Sequence, residues 1–321
     1  MLCQRRSLLR RLSRRSLPLA RERNWSAHSG RDWAVILAGG DGTRLRPLTR
    51  VLAGDDRPKQ FCSVVGKETL LDQTMLRIGR LISAERTRVV VTGSHQRFFG
   101  PQFSDRAGAL IVQPENRGTA PAILYSLLSI RKIDPDARVA FLPSDHYFGQ
   151  DAIFLDGVTA AFRAIGQRPD LAVLLGIVPD RPEVEYGWIE PAESIDGLVD
   201  VSIFRVGAFW EKPVLRTAQS LFVRGCLWNS FVMAGSVETL IRLFNTSMPE
   251  LYRAFEPILP SIGTPAETDA MRQLYSQLPS SDFSGQVLRA CPKGLTVLPL
   301  AGAGWVDIGS TDRAIAVMAR A

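Results

Sequence analysis

The sequence predicts an α/β protein, with a mostly parallel sheet covered by helices on both faces and a smaller mixed-β portion beside it. Three observations predict it. From residue 33 onward, short β-rich apolar runs alternate with stretches whose apolar residues recur at helical spacing. That βαβ rhythm buries parallel strands between two layers of helices. Beyond about residue 180 the rhythm gives way to shorter strands, the pattern of a mixed or antiparallel insertion.

Taken in order, residues 34–37, 88–91, 110–113, 139–142 and 171–177 read as buried strands. Between them, 69–82, 119–130 and 152–165 carry helical spacing. Shorter strands follow at 187–190, 203–210 and 227–234, then a helical stretch over 236–277, a strand at 295–299, a loop at 304–309 and a terminal helix. In sheets of this kind, ligands lie beyond the carboxyl ends of the strands. The glycine-rich turn after the first strand and the Pro143-Ser144-Asp145-His146 segment after a later one both fall there.

The chain has 321 residues, 45% of them hydrophobic and 22% charged, enough to bury a sizeable core. Its net charge of +7 is uneven, because residues 1–31 hold nine arginines and one glutamate. Taking that +8 from the whole leaves −1 for the remainder, so the high pI gives no reason to expect nucleic acid as a partner of the folded body. The arginine-rich segment is expected to be a disordered tail, or sequence upstream of a mis-assigned start, ahead of a transit peptide. Ser13-Arg14-Arg15-Ser16-Leu17 echoes an export signal, but Arg21-Glu22-Arg23 interrupts the place of its apolar region. No run approaches the ~18 apolar residues of a membrane span, so stable membrane insertion is not expected. The scattered Cys3, Cys62, Cys226 and Cys291 suit free thiols in a reducing, cytoplasmic setting. The three histidines have no metal-binding spacing.

The chemistry is concentrated in Trp33 to Thr49 and in Arg57-Pro58-Lys59-Gln60-Phe61. An apolar strand ending at Leu37 runs into Gly39, Gly40, Gly42 and Thr43, where backbone N–H groups can approach phosphate oxygens. Arg44 and Lys59 can neutralise charge that moves during phosphoryl or nucleotidyl transfer. The loop is not a Walker A motif, since no Gly-Lys-Ser/Thr follows, and Arg44 and Pro47 spoil a dinucleotide fingerprint. Asp145, directly after an apolar strand, can reach a Mg²⁺ ion on substrate phosphates. Taken singly, it reads first as a turn or helix-cap residue, and Asp307 in Gly304-Trp305-Val306-Asp307-Ile308-Gly309 is equally ordinary alone.

Leu-Ala-Gly-Gly, Gly-Thr-Arg-Leu, Pro-Leu and Pro-Lys-Gln-Phe together resemble the signature of the sugar-1-phosphate nucleotidyltransferases, the sugar-nucleotide pyrophosphorylases. The Pro-Lys-Gln-Phe ending is most similar to their mannose-1-phosphate guanylyltransferase branch. The motifs run in family order over about residues 33–310. The resemblance implies a Rossmann-like domain of the nucleotide-diphospho-sugar transferase type over residues 32–321. Its sugar-binding part would lie at about 180–235 and a helical C-terminal part at about 236–321. It implies Asp145 and Asp307 as ligands of a catalytic Mg²⁺, and Arg44, Lys59 and Lys212 as catalytic cations. Leu37, Gly39, Gly40, Gly42, Thr43, Gln113, Pro114, Gly118 and Thr119 would bind the nucleotide, with Thr119 a candidate helix cap. Gly187, Glu190, Glu211 and Asn229 would bind the sugar.

Several positions depart from the pattern. Gln113 and Gly118 stand where the guanylyltransferase branch usually has Glu and Asn, and resemble the pyrimidine-using thymidylyltransferases. Glu185 occupies a place that is commonly glycine, and Phe231 replaces the usual Gly after Trp228-Asn229-Ser230. The implied reaction is Mg²⁺-dependent transfer from GTP to mannose 1-phosphate, giving GDP-mannose for polysaccharide synthesis, with a homodimer as a candidate assembly. The alternatives are the same chemistry with dTTP or UTP and glucose 1-phosphate, GTP with another sugar 1-phosphate, or a silent regulatory homologue that binds sugar nucleotide.

Overall fold

A computed structural model describes residues 30–199 and 202–319; the arginine-rich segment lies, but for its last two residues, outside them. Eleven strands are present among the described residues: β1 Asp32–Leu37, β2 Thr87–Thr92, β3 Leu110–Gln113, β4 Arg138–Pro143, β5 His146–Phe148, β6 Ala172–Ile177, β7 Trp188–Ser194, β8 Phe204–Trp210, β9 Leu227–Ser236, β10 Thr296–Leu300 and β11 Trp305–Asp307. Nine of them form one sheet in the order β3-β2-β1-β4-β9-β6-β10-β8-β7. The pairings leave β8 and β9 antiparallel to the other seven strands of the nine.

The strands are apolar on both faces because both faces are covered. In β1, Ala34 and Ile36 point into a core with Phe154, Val158 and Phe162 of the helix Asp151–Gln167. Trp33 and Val35 point the other way, into a core with Ile123, Leu127 and Ile130 of the helix Thr119–Ile133. The period-two alternation therefore separates two cores rather than core from solvent.

The mixed-β portion joins the main sheet. Strand β9 runs antiparallel between β4 and β6, while β8 and β7 extend the far edge. A strand with one face in water would alternate between buried and exposed positions; β9 is buried at eight of its ten, as a central strand covered on both faces requires. The helical stretch is divided into Val237–Ser247, Pro249–Phe255 and Glu267–Gln277. Pro249 starts the second of these, and a 3₁₀ segment containing Pro260 separates it from the third. The loop at 304–309 contains β11, which pairs antiparallel with β5 so that Asp307 faces His146.

The chain passes from β1 outward to β2 and β3, then returns to β4 on the other side of β1. Strands β1 and β4 end level, with Leu37 opposite Pro143, and the Ser144 N–H donates to the Leu37 carbonyl at 3.2 Å. This reversal opens a crevice between their carboxyl ends.

Candidate active site

A cleft of about 370 Å³ occupies that crevice. Of the residues singled out from the sequence, it is lined by Leu37, Gly39, Gly40, Arg44, Lys59, Gln113, Gly118, Thr119, Asp145, Gly187, Glu211, Lys212, Asn229 and Asp307. Gly42, Thr43, Pro114 and Glu190 are not among the lining residues. Gly42 lies behind the wall against Pro58 and Lys59. Glu190 pairs instead with Arg224.

The glycine turn is held from beneath by a residue that the sequence reading passed over. Buried Gln60 donates from Nε2 to the carbonyls of Ala38 at 2.8 Å and Gly40 at 2.7 Å. That clamp turns the carbonyls inward and explains in part why Pro-Lys-Gln-Phe accompanies the turn. Thr92 Oγ1 donates to the Gly39 carbonyl at 2.8 Å, and a Cβ on Gly39 would come within 2.7 Å of Gln113 Nε2. Asp41 joins the turn to the next loop, accepting from Asn116 Nδ2 at 2.7 Å.

Gln113 is buried, and its Oε1 accepts from the Tyr275 hydroxyl at 3.2 Å. With Oε1 engaged, the amide group directs its Nε2 donors toward Gly39 and the cleft. Gly118 has φ +84°, and a Cβ there would lie only 2.3 Å from the Ser281 carbonyl oxygen. The segment that enforces this is tied on by Ser281 N–H to Arg117 O at 2.9 Å and Ala120 N–H to Ser281 O at 3.2 Å. Gly118→Ala should therefore cost about 1–3 kcal/mol of stability, read as a lower urea midpoint at unchanged slope. Thr119 is not the helix cap: Gly118 takes the cap position, and Thr119 Oγ1 accepts from the Phe283 N–H at 2.9 Å. The side chain is drawn to the neighbouring segment instead of its own helix.

At the floor of the cleft, Lys59 Nζ lies 2.9 Å from Asp145 Oδ2 and 3.7 Å from Asp307 Oδ1, and donates to the Ile308 carbonyl at 2.6 Å. Burial alone would lower the Lys59 pKa, but Asp145 and Asp307 more than reverse this and hold it above the usual ammonium value. Burial would likewise raise the Asp145 carboxyl, yet the Lys59 ammonium beside it, with His146 adjacent, holds it below the usual carboxylate value. His146 Nε2 lies 3.6 Å from Asp307 Oδ1, and its Nδ1 stands 3.1 Å from the Ser230 carbonyl oxygen and 3.2 Å from the Trp305 indole nitrogen.

Among the described residues no cluster of three or more His, Cys, Asp or Glu is arranged to hold a metal. Two hard carboxylates converging on one cation nevertheless fit magnesium, which takes one or two protein carboxylates and completes its shell with phosphates and water. Here the Lys59 ammonium is the cation they already share.

The other wall is built around Gly187, whose missing Cβ would stand 3.1 Å from Glu211 Oε2 and 3.2 Å from Asn229 Cβ. The Phe231 N–H donates to Asn229 Oδ1 at 3.0 Å, leaving the amide NH₂ for a ligand. Burial, with Asp282 nearby, raises the Glu211 pKa. Lys212 at φ 43° and Phe231 at φ 60° are the two non-glycine residues of positive φ among the described residues, and both line the cleft. Strain of this kind persists only where surrounding structure over-determines it, and it gathers at functional sites. The sequence reading also missed Asp282 and the ring wall of Tyr186 and Trp305, whose centroids lie 4.8 Å apart; Trp305 lay inside the Gly304–Gly309 segment already noticed, and Tyr186 directly precedes Gly187. Arg44 reaches across the mouth to Glu185, with 3.4 Å between Nη1 and Oε2.

A strand-borne glycine turn, a buried lysine between two aspartates and a polar wall opposite meet in this one cleft. The chain belongs to the nucleotidyl transferase family, whose profile matches residues 33–320. It is 30% identical over 289 residues to the mannose-1-phosphate guanylyltransferase ManC of Salmonella typhimurium, covering 87% of this chain and 58% of that protein. The xanthan biosynthesis protein XanB of Xanthomonas campestris is 31% identical over 282 residues, covering 86% of this chain and 57% of the relative. The chain thus spans less than two thirds of the length of these relatives. A crystal structure from Thermus thermophilus, described as a mannose-1-phosphate geranyltransferase, superposes with a TM-score of 0.73 at 30% identity, covering 87% of this chain and 76% of that one. No helix among the described residues is long and apolar enough to cross a membrane.

Proposed function

We propose that this protein transfers the guanylyl group of GTP to mannose 1-phosphate, releasing pyrophosphate and GDP-mannose. The observation that carries the reading is Lys59 between Asp145 and Asp307 at the foot of the glycine turn. An oxygen of the sugar phosphate attacks the α-phosphorus, a new P–O bond forms, and the bond to the β-phosphate breaks. The nucleophile is already an anion, so no side chain need remove a proton. What remains is alignment and neutralisation of charge.

Backbone N–H groups near Gly39 and Gly40, with Arg44, hold the triphosphate tail. Lys59 stabilises charge on the α-phosphoryl oxygens, and Lys212 holds the sugar phosphate. Gln113, Gly118 and Thr119 receive the base, while Gly187, Glu211 and Asn229 receive the sugar. Glu190, turned to Arg224, would have to exchange that partner to reach a hydroxyl. Asp145 and Asp307 would hold Mg²⁺, whose charge, when bound, offsets that of the substrate phosphates. Residues 180–235 serve as the sugar-binding part, and the protein acts in the cytoplasm, with a homodimer as its assembly and no nucleic-acid partner.

A second reading keeps the chemistry and exchanges GTP for dTTP or UTP. With its Oε1 taken by Tyr275, Gln113 offers the cleft donors and no acceptor, which suits a pyrimidine carbonyl and leaves the guanine N1–H and NH₂ without an acceptor from this residue. Pyrophosphate release across four nucleoside triphosphates and several sugar 1-phosphates tests both. One strong signal at GTP with mannose 1-phosphate supports the first reading, and a strong signal elsewhere replaces it. No turnover with any pair, with sugar nucleotide still bound, would point to a silent regulatory homologue.

A further inference from the structure

Arg313 has no part in the reading above and does not line the cleft, yet it is 14% exposed and sits directly behind it. The Ser310 side chain caps the helix Thr311–Met318 by accepting from the Arg313 N–H, which places Arg313 on the first turn. From there the guanidinium reaches three groups. Nη2 lies 3.4 Å from Glu183 Oε1, Nη1 lies 3.9 Å from Asp307 Oδ2, and the guanidinium carbon lies 4.5 Å from the Tyr186 ring centroid. Gly309 leaves the room, since a Cβ there would stand 3.3 Å from Nη1.

We infer that Arg313 and Glu183 are positioning residues that fix Asp307 and the Tyr186 wall in one arrangement; the inference rests on the proposed nucleotidyl transfer. Asp307 has one oxygen toward Lys59 and His146 and the other toward Arg313, so Arg313 fixes the orientation of the carboxylate plane toward the cleft. Glu183 orders the loop before Tyr186, its Oε1 accepting from the N–H groups of Val184 at 2.9 Å and Glu185 at 3.0 Å. Its carboxylate is shared, with Oε1 toward Arg313 and Oε2 accepting from Arg181 at 3.1 Å, so Arg313 is held between Glu183 and Asp307 rather than left as a free cation. The same pair joins the metal-side strand β11 to the sugar-side wall.

The test compares wild type with Arg313→Met, Arg313→Lys and Glu183→Gln. Arg313→Met should raise the half-saturating Mg²⁺ concentration and lower kcat, together by about 10–100-fold, as loss of a group that orients a metal ligand does. KM for the sugar 1-phosphate should rise while KM for the triphosphate stays within about twofold, because the triphosphate grip lies on the other wall; Arg313→Lys should recover part of the loss. Mn²⁺ binding followed by electron paramagnetic resonance, without turnover, should weaken in Arg313→Met. Equal or tighter Mn²⁺ binding, or a lower Tm with unchanged Mg²⁺ dependence and KM, would overturn the inference. If Arg313→Met does not fold, Arg313→Lys and Glu183→Gln decide by the same readouts. Absence of turnover in the wild type would defeat the proposed function, while the Mn²⁺ comparison would still judge Arg313.

Discussion

Asp145→Ala and Asp307→Ala are each expected to lower kcat by roughly 10²–10³-fold, the usual loss when a group that stabilises transferring charge is removed. The two carboxylates share one cation, with Lys59 Nζ at 2.9 Å and 3.7 Å. Either alone is a single carboxylate at the cleft floor; together they can offer hard oxygens from two directions to a metal on the phosphates. Removing Asp145 also deprives a largely buried ammonium of its nearest partner, so part of the loss would come from disorder around Lys59. Asp145→Asn separates these effects. It retains the shape and one acceptor oxygen, so it should lose less Tm than Asp145→Ala while losing activity as fully. Saturating pyrophosphate-release assays make the comparison, and unchanged turnover in both alanine variants would remove the metal assignment.

Lys59→Met should be as severe for turnover and opposite in its response to magnesium. Without the ammonium, Asp145 and Asp307 face one another with no cation between them. Like charges so placed either take up a proton or push apart, and the apo protein should lose stability. A divalent ion can then occupy the vacated centre of charge. The expected result is a kcat lower by about 10²-fold or more, with a Tm that rises more steeply on adding Mg²⁺ than in the wild type, by mass action on the folded state. Loss of activity with no added magnesium response would leave Lys59 a phosphate contact only.

The pH dependence follows from two of these groups, Asp145 and Lys59. The Asp145 pKa is depressed, so its stabilising contribution is complete above its unfolded value of about 4 and is lost as pH falls through the folded value. The Lys59 pKa is raised, so its contribution is complete below its unfolded value of about 10.4 and is lost as pH rises through the folded value. Between about pH 6 and 9 neither group titrates, and stability measured by urea should show no transition from this pair. A steep loss of stability within that window in the wild type, absent in Asp145→Asn, would contradict the ion pair.

The alternating βαβ elements were legible because each is written in local periodicity. Residues 110–113, read as a strand, are β3 to the residue, and 119–130 falls inside the helix Thr119–Ile133. Strand β9 was legible as a strand but not as a central one. Apolar runs report burial on both faces without saying which neighbours supply it. The pairing of β11 with β5 was hidden for another reason: a three-residue strand carries almost no periodic signal, and its partner is remote in the chain.

For the site, most residues drawn from the motifs line one cleft, and the exceptions are instructive. Gly118 could be seen as a departure, but its cause, the Ser281 carbonyl at 2.3 Å from any Cβ, belongs to a segment far along the chain. Thr119 has the chemistry of a helix cap, and local rules alone would use it so; the Phe283 N–H draws its oxygen away from the helix. Gln60 has no signature of its own, because a clamp on two carbonyls is defined by where those carbonyls point.

By itself, then, the sequence determined the alternation of strands and helices, the glycine turn, and the residue types that line the cleft, all of which depend on neighbours within a few positions. Only the tertiary structure decided that Asp145 and Asp307 share Lys59, that Gln113 directs its amide into the cleft, that Glu190 faces Arg224, and that Arg313 stands behind Asp307. These are relations between side chains brought together by the level ends of β1 and β4 and the pairing of β5 with β11. Electrostatic and hydrogen-bond energies depend on distance and burial in space, and neither quantity is written in the local order of residues.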